Sequence, residues 1–200
     1  AYEKQMKALT PYVTLVDAGD AIQGAPVGTL SEGGYIISLM NQAGYDFAIP
    51  GNHEFDYGMS RFLKLSTALD CGYYSCNLVK GPSKQLVFKP YKIINYDDVS
   101  VAYVGVTTPE SITKSNPTNF QNGTGGYIYS LCEDADGQSL YRQVQDAVDA
   151  ARSEGANFVI LVGHLGNEGV TEKWTSKSVI ANTNGIDAVI DGHSHETFTE

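Results

Sequence analysis

The chain has 200 residues, of which 42% are apolar and 18% charged, and its formal net charge is −10. This composition can bury a sizeable core, so a disordered or collagen-like chain is excluded and one domain is expected. The acidic balance, without any Lys/Arg cluster, argues against binding to a nucleic acid polymer, and every apolar run is far shorter than the roughly 20 residues of a membrane span.

Short apolar runs alternate with segments of helical period along most of the chain. In chain order, this pattern predicts a helix at residues 1–9, a strand at 12–16, a helix at 34–42, a strand at 47–49, a helix at 59–69 and a short strand at 73–76. It then predicts a hairpin from residues 87–96 and 99–106, a long loop at 107–137, a helix at 139–153, a strand at 158–162, a helix at 172–181 and a strand at 188–190. Strands separated by helices indicate an α/β protein with a mostly parallel sheet, to which the hairpin adds an antiparallel part.

The loop at residues 107–137 is longer than the ~12 to 15 residues beyond which an unstructured connection is unusual. We therefore expect it to form a functional rim or to be partly disordered. Its acidic residues, Glu133, Asp134 and Asp136, lack the spacing of a calcium loop and are expected to cap the helix that follows. Its glycines at 123–126 follow no predicted strand, which argues against a phosphate-binding loop.

The chain has three cysteines, Cys71, Cys76 and Cys132. Because their number is odd and their spacing fits no zinc site, we expect three free thiols; the alternative is one disulfide between Cys71 and Cys76. They give no indication of the cellular compartment.

Polar clusters follow four of the predicted strands, at residues 16–20, 50–56, 163–164 and 191–195. The carboxyl ends of parallel strands share one edge of a sheet, and ligand sites form at that edge. All four histidines of the chain lie in these clusters, and three of them directly follow Gly or Gly-Asn. We therefore expect the four clusters to converge on one crevice.

Several imidazoles with a carboxylate and a carboxamide form a set of ligands that suits Mn, Zn, Co or Fe, whereas calcium prefers oxygen ligands throughout. So many ligands at one edge are also compatible with a pair of metals ~3.5 to 4 Å apart, an arrangement used for phosphoester hydrolysis. Within the clusters, Asp17 is expected to bond backbone amides of its turn, and Glu54 to support a ligand rather than to bind metal itself.

Four segments of the chain carry a family resemblance. They are Gly19-Asp20-x-x-x-Gly24, Gly51-Asn52-His53-Glu54-Phe55-Asp56, Gly163-His164 and Gly192-His193-Ser194-His195. In this order and at these separations, they resemble four of the five motifs of the calcineurin-like metallophosphoesterases. The residues of the second and fourth segments resemble those of the 5'-nucleotidase and 2',3'-cyclic-nucleotide phosphodiesterase branch in particular.

The resemblance implies a metallophosphoesterase sandwich in which two mixed sheets lie between helices, in α/β/β/α layers. The family's first motif, Asp-x-His after an initial strand, does not occur in the chain, so we expect residues 1–200 to form a catalytic domain that is incomplete at its N-terminus. The family's C-terminal domain with nucleoside-binding aromatic residues is also not part of the chain. An extracellular, cell-surface or periplasmic location is implied by the resemblance alone, because residues 1–9 do not resemble a signal peptide.

The resemblance also implies a role for each motif residue around two divalent ions. Asp20 bridges both ions; Asn52, His164 and His193 complete the second; His195 binds the first; and His53 with Asp56 forms the catalytic pair. His53 is expected to protonate the leaving oxygen, and Asn52 to orient a phosphate oxygen as well as to hold metal.

The implied reaction is release of phosphate from nucleoside 5'-monophosphates by a metal-bridging hydroxide. Cyclic 2',3'-nucleotides and nucleotide sugars are substrates that the sequence does not separate from these. Since the first ion has only Asp20 and His195 in this chain, we expect that ion to bind weakly and the chain to be a poor phosphoesterase. The alternative is a non-catalytic domain that binds a metal or ligand and retains the phosphoesterase fold.

Overall fold

The structure, a computed structural model, describes residues 2–196, apart from the side chain of Tyr2; the part of the first predicted helix at residue 1 lies outside the described residues. The helices are α1 (Tyr2–Lys7), α2 (Pro26–Leu30), α3 (Gly34–Ala43), α4 (Met59–Ala68), α5 (Ser111–Lys114), α6 (Gln138–Ser153) and α7 (Ser176–Ala181). The strands are β1 (Val16–Asp17), β2 (Phe47–Ala48), β3 (Val79–Lys80), β4 (Gln85–Leu86), β5 (Tyr91–Tyr96), β6 (Val99–Thr107), β7 (Tyr129–Ser130), β8 (Phe158–His164) and β9 (Ala188–Asp191). Short 3-10 helices lie at His53–Phe55, Pro117–Phe120 and Glu172–Trp174.

The strands form one larger sheet and two small ones. The larger sheet has the order β5-β6-β8-β9, with β6, β8 and β9 parallel and β5 antiparallel to β6. The predicted hairpin is confirmed, since Tyr96 pairs with Val99 across Asp97-Asp98. Strands β1 and β2 pair in parallel, and β4-β3-β7 is a small antiparallel sheet.

Alternating side chains of the larger sheet build two separate cores, because successive residues of a strand point to opposite faces. One face packs against the buried side of α6, at Leu140, Val144, Ala147, Val148 and Ala151, whose spacing is that of an amphipathic helix. The strand residues on that face are Ala102, Val104, Val106, Val159 and Leu161. Each fully buried Val or Leu contributes about 1.5–3 kcal/mol to the stability of this layer.

The opposite face of the larger sheet packs against the β1–β2 pair. Tyr103 and Val162 form a core cluster there with Phe47 and Ile49. On the far side of β2, a third cluster contains Ala48 with residues of α3 and α4, among them Ile37, Met40, Phe62 and Leu65. Helices, two sheet layers and helices thus follow one another, and the predicted α/β/β/α architecture is confirmed.

The structure corrects two of the predicted strands. Only the end of the predicted strand at residues 12–16 pairs with β2, because the backbone N–H of Leu15 donates to the carboxylate of Asp46 at 2.9 Å instead of to a neighbouring strand. The segment at 73–76 is no strand. It makes only single bridges, between Ala48 and Tyr73 and between Tyr74 and Lys89.

The long loop at residues 107–137 is largely ordered, so of the two alternatives expected for it, a functional rim or partial disorder, partial disorder is wrong. It contains α5, a 3-10 helix and β7, and it buries Phe120 and Leu131 completely. Apolar side chains spaced along it pack into the α3/α4 core, which holds the segment without a long strand or helix. As expected, the carboxylate of Asp134 accepts the N–H of Ser139 at the start of α6, at 2.7 Å.

Two further differences have local causes. The predicted helix at 172–181 is divided at Thr175, whose hydroxyl accepts the N–H of Ser178 and begins α7 as a new helix. The sequence pattern did not predict helix α2, although Pro26 at its start is a typical first-turn residue.

All three cysteines, which lie in the described part of the chain, are free thiols, as expected. None of the helices in residues 2–196 is long and apolar enough to cross a bilayer.

Candidate metal centre

Four polar side chains meet at the carboxyl ends of four strands. Asp20 and Asn52 follow β1 and β2, His164 is the last residue of β8, and His193 follows β9. Asp20, His164 and His193 each offer a ligand atom, and these atoms all lie within 4.8 Å of one another. Oδ1 of Asn52 is 3.3 Å from Nε2 of His164. The structure thus brings these four predicted residues to one place, as the convergence of the strand ends requires.

The two nitrogens of His164 have different surroundings. Nδ1 lies 2.7 Å from the carbonyl oxygen of Ala18, which only accepts hydrogen bonds, so Nδ1 carries a proton. In the neutral ring, Nε2 then carries a lone pair and can only accept. It nevertheless faces two further acceptors, Oδ2 of Asp20 at 3.0 Å and Oδ1 of Asn52. Only a proton or a metal ion among these three atoms satisfies them all. These three atoms could therefore hold a metal ion.

The same arrangement shifts the pKa values of the pair. Burial acts to raise the pKa of Asp20, but the hydrogen bond with His164 holds it below its ordinary value. Burial acts to lower the pKa of His164, but the hydrogen bond and charge of Asp20 raise it above its ordinary value. Burial and the neighbouring His164 lower the pKa of His193. A neutral His193 beside a carboxylate and a carboxamide fits a divalent transition metal.

Glycines allow the strand-end loops to approach one another. A Cβ on Gly19 would stand 2.6 Å from the backbone nitrogen of Gly51 and 2.8 Å from Nδ1 of His164. Gly19 also has φ of +91°, which side chains rarely adopt. A Cβ on Gly51 would collide with the carboxylate of Asp20, and one on Gly192 would stand 3.1 Å from the carbonyl oxygen of Ala18.

Two of the four side chains stand on a strained backbone. Asp20 has φ of 67° and His193 has φ of 84°, both in the left-handed region that non-glycine residues seldom occupy. Such conformations cost of order 1–3 kcal/mol each and persist where the surrounding structure imposes them.

The buried side chain of Glu54 connects the loop after β1 with the loop after β2. It is completely buried, and its carboxylate accepts backbone N–H groups of Asp20 at 2.7 Å, Gly51 at 2.6 Å and Ile22 at 3.2 Å. Burial, with the charges of Asp17 and Asp20, raises the pKa of Glu54 to about 7. Its position fits the expected supporting role.

His53 lies beside the candidate metal ligands, and its ring is hydrogen-bonded to Asp56. Its backbone N–H donates to Oδ1 of Asp20 at 2.8 Å, and its Nδ1 is 2.6 Å from Oδ2 of Asp56. Ser115 donates to the other oxygen of Asp56 at 2.9 Å. Partial burial acts to lower the pKa of His53, but the hydrogen bond to Asp56 and the charge of Asp20 raise it. The two residues of the predicted pair are therefore hydrogen-bonded to each other, and their catalytic role stays a prediction.

A sequence model described as calcineurin-like phosphoesterase matches residues 2–197 of the chain. This chain belongs to the calcineurin-like phosphoesterase family.

Two proteins that are similar in sequence to this chain have names that refer to nucleotides. A 5'-nucleotidase of Bos taurus is 32% identical over 197 residues, which cover 96% of this chain and 31% of the bovine protein. The trifunctional nucleotide phosphoesterase protein YfkN of Bacillus subtilis is 30% identical over 220 residues, covering 94% of this chain and 14% of that protein. The chain therefore spans about a third or less of the length of these curated relatives.

Solved structures show the same fold. The calcineurin-like phosphoesterase YfkN of Bacillus subtilis has a TM-score of 0.79 at 26% identity, over 98% of this chain and 63% of that one. The sulfate thiohydrolase SoxB of Thermus thermophilus has a TM-score of 0.82 at 23% identity, over 98% and 34% of the two chains. The second likeness concerns the fold alone.

Two residues of this phosphoesterase chain depart from the sequence-based interpretation. His195 is exposed and lies outside the group formed by Asp20, His164 and His193, so its assignment to the first metal stays a prediction. Glu110 was not expected at the site, yet its Oε2 is 3.3 Å from Nε2 of His193. Burial acts to raise the pKa of Glu110, but hydrogen bonds from Thr171 hold it below its ordinary value. No spacing in the sequence relates Glu110 to His193.

Proposed function

We propose that the protein containing this chain hydrolyses phosphoesters at a divalent metal bound by Asp20, Asn52, His164 and His193, with nucleoside 5'-monophosphates as substrates. The observation that carries the proposal is the lone pair of His164 Nε2 opposed to the oxygens of Asp20 and Asn52. A proton or a metal ion must lie among these atoms, and the ligand types suit Mn, Zn, Co or Fe.

A divalent ion at this place would supply a Lewis acid for a phosphoryl oxygen and make water a nucleophile at neutral pH. The chain's own residues then divide the remaining work. The carboxamide oxygen of Asn52 would hold the metal, and its N–H groups would be free to donate to a phosphate oxygen. Asp56 accepts a hydrogen bond from Nδ1–H of His53 and so fixes the ring, and Nε2 of His53 is the nitrogen that would donate a proton to the leaving oxygen.

The proposal includes a second ion, for which Asp20 and His195 would be the ligands that this chain supplies. Two protein ligands are fewer than the three that are usual at a catalytic site. We therefore expect the 200-residue chain by itself to bind this ion weakly and to be a poor phosphoesterase.

The choice of nucleotides as substrates is supported by the names of the relatives, a 5'-nucleotidase and a nucleotide phosphoesterase. The test is an assay of the protein in its full natural length, with Mn²⁺ or Zn²⁺, on 5'-AMP, 2',3'-cyclic AMP, a nucleotide sugar and p-nitrophenyl phosphate. We expect metal-dependent turnover with the highest kcat/KM on 5'-AMP. Asp20→Ala should abolish turnover, whereas Asp70→Ala, at an exposed position, should not.

Turnover without added metal, after chelation, would contradict the proposed mechanism. Metal binding without turnover of any of the four substrates would instead support a non-catalytic ligand-binding domain. A preference for the cyclic nucleotide or the nucleotide sugar would retain the metal chemistry and replace the substrate.

A further inference from the structure

Glu110 lies in a buried part of the loop that follows β6, directly before α5. Its side chain and that of His193 are each 8% exposed. The site as proposed above gives this carboxylate no task, and a buried carboxylate is costly unless its oxygens are bonded. Its bonding partners therefore indicate why it is there.

The two oxygens of Glu110 connect three segments of the chain. Oε1 accepts the backbone N–H of Thr171 at 2.6 Å and also the hydroxyl of Thr171. Oε2 lies 3.3 Å from Nε2 of His193 and 4.0 Å from Nζ of Lys114. Glu110 therefore holds the loop before α7 and the loop after β9 at a fixed distance from each other.

The contact with Glu110 selects one form of the His193 ring. An ionised carboxylate only accepts hydrogen bonds, so Nε2 of His193 must carry the proton. In a neutral imidazole the lone pair is then on Nδ1, and this is the nitrogen that remains able to bind a metal. His164 shows the opposite arrangement, since its Nδ1 donates to Ala18 and its Nε2 faces Asp20.

We infer that Glu110 is a positioning residue, which fixes the tautomer and ring orientation of His193 so that Nδ1 is presented to the metal. The inference rests on the proposed function, because it takes His193 to be a metal ligand. Carboxylate partners of this kind typically change metal affinity 10 to 100-fold when they are removed.

Glu110→Gln is the decisive variant because it keeps the size of the side chain. With its amide oxygen toward Thr171, the variant turns an NH₂ group toward Nε2 of His193, which must then give up its proton and become the acceptor. The ring proton then moves to Nδ1, the nitrogen that would otherwise bind the metal. If the amide turns the other way, its NH₂ group faces the backbone N–H of Thr171. Two donors then meet, and the hydrogen bond to Thr171 is lost.

Two measurements test this on the protein and its variants. Long-range ¹H–¹⁵N NMR of the metal-free protein at about pH 8, where ordinary histidines are neutral, should show His193 as the Nε2–H tautomer. Glu110→Gln should shift it toward Nδ1–H. Titration with Mn²⁺ and with Zn²⁺ should show that Glu110→Gln binds roughly 10 to 100-fold more weakly. Glu168→Gln is the matched control, since Glu168 is exposed in a neighbouring loop, and its affinity should equal that of the wild type.

Thr171→Val serves as a milder variant that removes one donor to Oε1 and leaves Glu110 in place; it should weaken metal binding several-fold without unfolding the chain. An unchanged tautomer together with unchanged metal affinity in Glu110→Gln and Thr171→Val would overturn the inference. If the wild type itself binds neither metal, the proposed function fails, while the tautomer of His193 still decides the role of Glu110.

Discussion

Nδ1 of His53 lies 2.6 Å from Oδ2 of Asp56, three residues along the same turn of 3-10 helix. Because the second oxygen of Asp56 accepts the hydroxyl of Ser115, the carboxylate is held from both sides. The backbone N–H of His53 is at the same time bonded to Asp20. The imidazole is thus fixed beside the candidate metal ligands without being one of the group that they form.

This relationship predicts that His53 and Asp20 differ in what they contribute. In the full-length protein, His53→Asn should lower turnover by roughly 10²- to 10⁴-fold, the range for a lost general acid. Its metal affinity should stay close to that of the wild type, because its backbone bond to Asp20 remains. Asp20→Ala should lose both. Metal content after dialysis and steady-state kinetics, measured on both variants, check this; equal loss of metal in the two would make His53 a ligand.

Metal binding should stabilise the fold in a pH-dependent way. Divalent metal at 100 times its dissociation constant raises the free energy of unfolding by about 2.7 kcal/mol. His164 and His193 must be neutral to bind it. Because the pKa of His164 is raised by its hydrogen bond to Asp20, the gain should begin to shrink above the ordinary histidine value of ~6.5 as the pH falls. Thermal unfolding with and without Mn²⁺ from pH 5 to pH 8 measures the effect. A gain that persists in Asp20→Ala would place the ion elsewhere.

Asp17 should affect stability in the opposite sense from an ordinary surface carboxylate. Burial raises its pKa from 3.8 to about 6, so the folded state binds the proton more tightly than the unfolded chain does. The resulting stabilisation is fully present below pH ~4 and is lost as the pH rises through ~6. Asp17→Asn should remove this loss and be more stable than the wild type at pH 7 by roughly 3 kcal/mol.

The measurement for Asp17 is urea unfolding across that pH range with a chelator present. Asp70→Asn, at an exposed position, is the control and should follow the wild-type curve. Parallel curves for Asp17→Asn and the wild type would show that the carboxyl of Asp17 ionises at its ordinary pKa in the folded state.

Two glycines of one loop separate crowding from backbone strain. Gly19 and Gly24 both have positive φ, +91° and +116°, but only Gly19 has atoms within 4 Å of an added Cβ. Gly24→Ala should cost about 1–2 kcal/mol through strain alone. Gly19→Ala should cost more and also weaken metal binding, because it forces the loop of Gly51 and the ring of His164 apart. Unfolding and metal titration of the two variants, compared side by side, decide between these effects; similar metal affinities would contradict the crowding argument.

The sequence predicted those parts of the site that follow strands. The alternation of apolar runs and helices placed His164 and His193 at strand ends, and strand ends in a parallel arrangement must meet. Glu110 could not be found in this way, because its partner Thr171 is 61 positions away and the contact depends on how two loops fold. The two-residue strands β3, β4 and β7 were missed for a related reason: they are too short to show a period, and their pairing is decided by neighbouring layers.

The left-handed backbone at Asp20 and His193 limits which substitutions can stabilise the fold without other loss. Glycine would relieve the strain at either position, and relief of that kind is a common way to stabilise a protein. At these two positions, however, glycine would remove a candidate metal ligand. If Asp20 and His193 bind a metal as proposed, stability and metal binding are opposed at the same two residues, and substitutions that stabilise the fold must lie elsewhere in the chain.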